Sequence, residues 1–313
     1  MHSTQIVDIF YPVYKNTTIF EFVLKSCLEQ DHENIRIHIY DNAFAEGYFS
    51  TSKLVKKIND KRIIYHKNLV NVGHIANYAQ IIAEMKKTRL SICLPFDIGF
   101  TKTGLSKMIQ ALIRTGASVV FPSAYSASYK DILSIEADHL QTNYINILRT
   151  FQEESEIVLS GYEIVKEYFS EKNINGEYND FSFFGALIVS SVIHAIESNF
   201  LNYRYHGFEH YLSMDLAINS SLVTRLSAPC LQAVIGSPRI GGTERPPDYF
   251  TRLEPIVACN DFLESKYFLL KKYFDDLGPF FTSQINKCQF FKDNYQGYQE
   301  EISRLIKNSK GLA

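Results

Sequence analysis

Short β-rich runs alternate with segments of helical spacing through the first third of the chain, and each run stops at a polar or turn-forming residue. Ile6 to Tyr11 is a β-rich run stopped by Pro12. Thr17 or Thr18 caps a helix with apolar positions at Ile19, Phe22, Val23 and Cys27. A second strand, Ile35 to Tyr40, ends in Asp41-Asn42, and a helix follows around Ser50 to Ile58. The third strand, Arg62 to His66, leads through the turn Asn71-Val72-Gly73 into a helix from about His74 to Lys86, and Leu90 to Pro95 is the fourth. This alternation predicts parallel βαβ units in a doubly wound α/β sheet. Such sheets bind ligands past the carboxyl ends of their strands. That rule singles out Pro12 to Asn16, Asp41 to Ala45, Asn71 to His74 and Asp97.

The pattern continues with a helix at Leu105 to Arg114 and a strand at Ala117 to Phe121. Beyond Pro122 the chain turns polar and aromatic. Helices are expected at Asn143 to Gln152, Tyr162 to Ser170 and Val189 to Ile196, with strands at Asp180 to Ala186 and within Ser220 to Ile235. Gly236 to Pro247 is a loop rich in Gly, Pro and Arg, and the chain from Ile256 onward is helical in pattern. The expected division is a domain over 1–255, split into halves at 1–122 and 123–255, and a helical extension over 256–313.

Composition excludes several classes. A 46% hydrophobic share supports a sizeable core, and a net charge of −2 supplies no basic field for nucleic acid. No apolar run approaches the roughly 20 residues of a membrane span, and the first residues lack the pattern of a secretory signal. Cys27, Cys93, Cys230, Cys259 and Cys288 are widely spaced without a CxxC pair, as expected of reduced thiols in the cytoplasm rather than zinc ligands or disulfides. The many Tyr and Phe residues fit a sugar-binding surface or simply a packed core.

Four segments, in order across Gln5 to about Pro122, resemble the family-two glycosyltransferases of the GT-A fold, many of which assemble bacterial surface polysaccharides. Phe10-Tyr11-Pro12-Val13-Tyr14-Lys15-Asn16 stands where that family commonly reads I-P-V-Y-N. Ser26-Cys27-Leu28-Glu29-Gln30-Asp31-His32-Glu33-Asn34-Ile35 parallels S-I-L-N-Q-T-Y-x-N-I. Asp41-Asn42-Ala43 takes the place of D-D-G, and Asn71-Val72-Gly73 that of N-x-G. The resemblance implies a Rossmann-like mixed sheet of GT-A type, with the C-terminal helical stretch lying beyond the family core. It also implies inverting transfer of a sugar from a nucleoside-diphosphate sugar to a glycan or glycolipid hydroxyl. Under it, Asp41 accepts from the imide N–H of uracil or thymine, the alternative being an ordinary turn aspartate. Tyr14 packs on the base or ribose, or is a rim aromatic. Pro12, Asn71 and Gly73 bring backbone close to the nucleotide, or form a plain turn.

The fourth strand departs from the family pattern. Where the family reads L-D-x-D-D, this chain has Leu94-Pro95-Phe96-Asp97, so Asp97 alone remains to hold Mn2+ or Mg2+ against the diphosphate. The alternatives are a metal-independent enzyme using Lys or Arg donors and a decayed module that binds glycans or partner proteins. Arg239 and Arg245, in the Gly-rich loop, either clamp phosphate oxygens or are solvated surface arginines. Gly236 or Ser237 stands near where the family often places a metal-binding His. On the acceptor side, Gly207 to Leu216 matches the family's catalytic segment with Met214 in place of Glu. Asp215 is then the base that takes the acceptor proton, or an aspartate opening a helix at Leu216 to Ser220. Glu209 and His210 are the fallback bases, and His206 is structural. The helical stretch beyond Ile256 packs on the catalytic domain, pairs with a second copy, or docks on a membrane carrying a lipid-linked acceptor. The implied location is cytoplasmic, at the inner face of the membrane in the last case.

Overall fold

The computed structural model describes residues 5–14, 18–42, 50–96, 98–128, 155–168, 182–196 and 206–234. Its first half is built as the alternation predicts. Strands β1 (Val7–Val13), β2 (Ile35–Asp41), β3 (Ile63–Lys67) and β4 (Leu90–Cys93) are linked by helices α1 (Thr18–Leu28), α2 (Thr51–Ile58) and α3 (His74–Met85). β1 pairs in parallel with β2 and with β4, and β2 in parallel with β3. Helices cover both faces of this sheet, which is why β1 is apolar at nearly every position. α2 starts on Ser50, whose hydroxyl accepts from the Lys53 N–H. It ends on Asn59 in the left-handed conformation (φ 50°).

The remaining described elements are β5 (Ile98–Phe100), α4 (Gly104–Thr115), β6 (Val119–Ser128), β7 (Glu156–Ser160), α5 (Gly161–Tyr168), β8 (Leu187–Val189), α6 (Ser190–Ala195), α7 (His206–Ile218) and β9 (Leu222–Val234). They extend one mixed sheet in the order β3-β2-β1-β4-β8-β6-β9-β5, with β7 also on β9. β8 runs antiparallel to both β4 and β6, so β6 and its parallel partner β9 point the same way as the first four strands. The order reverses between β1 and β4, which makes the carboxyl ends of those two strands the switch-point crevice.

Alternation of side chains splits the core into two layers. Ile9, Tyr11 and Val13 face Phe20 and Leu24 of α1 and Leu105, Met108 and Leu112 of α4. Phe10 and Tyr40 face Tyr78, Ile81 and Met85 of α3 and Phe208 and Leu212 of α7. Among the buried polar groups of the described residues, the Ser91 hydroxyl has no partner, whereas the Tyr11 hydroxyl donates to Ile98 O (3.2 Å). Buried Gln30 donates to Thr101 O (2.8 Å) and accepts from Leu105 N (3.0 Å), tying α1 to the start of α4.

Several expectations shift. Pro12 lies inside β1 rather than ending it, opposite Tyr40. The Phe10 carbonyl accepts from Leu94 N on the β4 side and the Val13 carbonyl from Asn42 N on the β2 side, so by alternation Pro12 turns its nitrogen toward β4. The last β1–β4 pair is Phe10 with Cys93, so no ladder bond is lost there. The strand expected at 180–186 forms instead at Leu187–Val189, because Gly185 (φ +87°) turns the chain; Phe184 makes only an isolated bridge to Cys93. β5 and β7, unforeseen in sequence, pair with β9. β6 runs through the expected boundary at residue 122 to Ser128. There the register jumps from Pro122–Leu226 to Ala124–Cys230, and the surplus residues of β9 include Pro229, which has no N–H to donate. The expected helices at 143–152 and beyond 256 lie outside the described residues.

Candidate active site

Asp41 is the last residue of β2 and is 7% exposed. Its Oδ2 accepts from the Tyr65 hydroxyl at 2.5 Å. Tyr65, on β3, also takes a hydrogen bond from Ser52 in the first turn of α2. Burial first, and then the Asp41 carboxylate, push the Tyr65 phenol far above its ordinary value, so it remains a donor. No second hydrogen bond reaches the Asp41 carboxylate among the described residues.

Beside it, four asparagines lock the loops that follow β2 and β3. Asn42 donates to Asn71 Oδ1 (2.9 Å) and to Gly73 O (3.1 Å), and its Oδ1 accepts from Asn68 (3.2 Å) and from Val72 N (2.9 Å). Asn68 also donates to Asn77 Oδ1 (3.2 Å), and Asn77 donates to Tyr40 O (3.3 Å). Gly73 precedes α3 with φ +86° and open space around its missing side chain, so backbone conformation and not crowding demands glycine there. The adjoining Leu69 and Val70 project into solvent, 100% and 67% exposed.

Across the crevice stands Glu209, in the first turn of α7 and half-buried. Its Oε1 accepts from the Ser182 hydroxyl at 2.6 Å. Its backbone carbonyl accepts from Ser213 (2.7 Å), whose hydroxyl in turn accepts from Phe183 N (2.7 Å). Gly185 N donates to Cys93 O, which fixes this segment at the carboxyl end of β4. Burial first, and then the Glu209 charge, raise the Cys93 thiol well above its ordinary value. An aromatic contact joins the two sides: His74, next to Gly73, meets Phe208, next to Glu209, edge-on at 5.3 Å. Tyr78 lies against Phe208 as well, at 4.9 Å.

The model of Glycosyl transferase family 2 matches residues 8–176, just over half of the chain. The chain belongs to glycosyl transferase family 2. This family 2 glycosyltransferase also resembles solved structures of S. aureus TarS. The structure of TarS residues 1–349 in complex with UDP-GlcNAc aligns at TM-score 0.54 and 12% identity, covering 96% of this chain and 83% of that one. The same fragment with UDP aligns at TM-score 0.51 and 12% identity, with the same coverage. A longer TarS structure aligns at TM-score 0.53 and 13% identity, covering 96% of this chain and 50% of TarS. At such identities the likeness establishes the GT-A fold. No curated protein sequence matches this one.

In this family 2 enzyme Pro12, Asp41, Asn71 and Gly73 lie together at the ends of β1 to β3, and Tyr14, 40% exposed, follows β1. Asp97, Arg239 and Arg245 lie outside the described residues. The expectation of Mn2+ or Mg2+ on Asp97 therefore lies outside the described residues, among which no three His, Cys, Asp or Glu side chains gather to hold a metal. Asp215 does not open a helix. It sits in the third turn of α7, 0% exposed, and its Oδ1 accepts from Asn219 (3.1 Å) near the negative end of the helix dipole. The reason is that α7 begins at His206, so the first-turn carboxylate is Glu209.

Sequence reasoning reached Asn42 only as part of the strand-end segment after Asp41 and passed over Asn68, Asn77 and Tyr65. A signal existed for Asn77, a polar residue on the buried stripe of α3 beside Tyr78, Ile81 and Ile82. Tyr65 carried none, since a tyrosine in a strand is ordinary.

Proposed function

We propose that this glycosyltransferase moves a sugar from a uridine-diphosphate sugar to a glycan or glycolipid hydroxyl with inversion, in the assembly of a surface polysaccharide. Asp41 accepts the imide N–H of the base through Oδ1, Tyr14 covers the base or ribose, and Pro12 and the Asn71–Gly73 turn shape the backbone around them. The single observation behind this reading is the contact of His74 with Phe208, which sets the nucleotide-side loop and Glu209 side by side where the parallel strands end. TarS, of like fold, binds UDP-GlcNAc and UDP.

Glu209 rather than Asp215 is the base in this reading, because it is half-buried at the crevice whereas Asp215 is wholly buried two turns deeper. The acceptor hydroxyl passes its proton to Glu209 as its oxygen bonds to the anomeric carbon. The bond from that carbon to the diphosphate breaks, its electron pair leaving with the nucleoside diphosphate, and the configuration inverts. The sequence gives the diphosphate to Asp97, Arg239 and Arg245, with Asp97 the ligand of any divalent ion. Such a donor is cytoplasmic, so the reaction falls there, at the inner face of the membrane when the acceptor is lipid-linked.

Isothermal titration with UDP, dTDP and GDP, with and without Mn2+, tests the donor side. UDP binding by the wild type and its loss in Asp41→Ala are expected; equal UDP binding by both proteins would refute the assignment.

A further inference from the structure

We infer that Tyr65 is a positioning residue that sets which nucleobase Asp41 accepts. The inference rests on the reading of Asp41 given above. A carboxylate only accepts hydrogen bonds, and its two oxygens can serve two donors at once. Here Oδ2 is already committed to the Tyr65 hydroxyl at 2.5 Å. That hydroxyl cannot swing away freely, since the ring packs against the core layer containing Leu54 of α2 and the oxygen also takes a hydrogen bond from Ser52. Asp41 therefore meets a ligand with one oxygen, Oδ1, in one orientation.

Nucleobases differ in how many donors they show to such a group. Uracil and thymine present one imide N–H between two carbonyl oxygens. A single accepting oxygen suits them, and a second free one would face a carbonyl. Guanine presents an N–H and an amino group side by side, which favours a carboxylate with both oxygens open. By occupying Oδ2, Tyr65 selects the single-donor edge and penalises the double one, so specificity arises from a blocked acceptor as much as from an offered one.

The test is isothermal titration of the whole chain with UDP and with GDP, for wild type, Tyr65→Phe, Ser52→Ala and Asp41→Ala, with melting temperatures alongside. Wild type prefers UDP. Tyr65→Phe keeps the ring and frees Oδ2; it is expected to lose up to about tenfold in UDP affinity, the scale of one hydrogen bond. GDP affinity rises at the same time, so the UDP-to-GDP ratio falls by about tenfold or more. Ser52→Ala shifts the ratio in the same direction by less and serves if Tyr65→Phe does not fold. A ratio unchanged in both variants while Asp41→Ala loses UDP overturns the role of Tyr65 and leaves the reading of Asp41 standing. Equal weakening of both nucleotides marks Tyr65 as structural only and overturns it too. UDP binding that survives in Asp41→Ala, or a wild type that prefers GDP, overturns both together.

Discussion

The Ser182 hydroxyl donates to Glu209 Oε1 at 2.6 Å, and this bond orients the one carboxylate that α7 presents in its first turn. Asp215, on the same helix, is sealed inside and bonded to Asn219. Glu209→Gln is expected to lower kcat by about 100-fold or more, the usual worth of a positioned general base, with UDP affinity and melting temperature little changed. Asp215→Asn keeps the shape and the acceptor for Asn219 and is expected to leave kcat within a few-fold. Steady-state kinetics of the two variants decide between them; the reverse ranking would return the role to Asp215.

The Asn42 side chain supports four hydrogen bonds at once, two given and two received, and all of them end on the loop between β3 and α3. Asn42→Ala strips partners from Asn68, Asn71 and the Val72 N–H. We expect a loss of about 2 kcal/mol in unfolding free energy and a several-fold rise in the Kd for UDP. Denaturant melts and titration calorimetry read the two effects separately.

Acid should destabilise the protein in two stages. Burial pushes the pKa of Asp8 up, but hydrogen bonds from His38 and Arg36 outweigh it and hold the carboxyl below its ordinary 3.8. A carboxyl with a lowered folded pKa contributes stability above the unfolded value and loses it as pH falls through the folded one. His66 is held below its ordinary 6.5 by burial first and then by His38. The unfolded chain takes up that proton sooner, so stability also declines as pH drops from 6.5. Melting temperature followed from neutral pH downward should show both declines. His66→Gln should flatten the upper stage, and Asp8→Asn the lower, while lowering stability at neutral pH.

Gly161 opens α5 so close to the end of α7 that a methyl group there would lie 1.9 Å from Ala217 O and 2.5 Å from Ser220 O. Both obstacles are backbone, which cannot rotate aside. Gly161→Ala is expected to cost about 3 kcal/mol, at the upper end for overpacking, and to disturb α7 and so turnover. Thermal melts that match wild type would count against this packing.

The first four strands and their helices were legible because each leaves a local pattern: a β-rich run, a polar stop, then apolar residues at helical spacing. Asp41 and the Asn71–Gly73 turn could be named because the strand-end rule depends on order alone. β5 and β7 were not legible, since each is short and is made a strand by its long-range partner β9. Asp215 attracted attention through the match of Gly207 to Leu216 with the family's catalytic segment; the helix expected to open at Leu216 spans His206–Ile218 instead, with Phe208 packed on His74 and Tyr78. The Tyr65–Asp41 bond spans two strands, and no local pattern reports it.

β9 carries β6 along one side and β7 and β5 in succession along the other. A fragment stopping at residue 122 would cut β6 mid-strand and remove β8 from the flank of β4, leaving unpaired backbone on an apolar strand. Such a naked edge invites self-association. Expressed alone, residues 1–122 should collect in the insoluble fraction, and co-expression with the remainder should restore them to the supernatant.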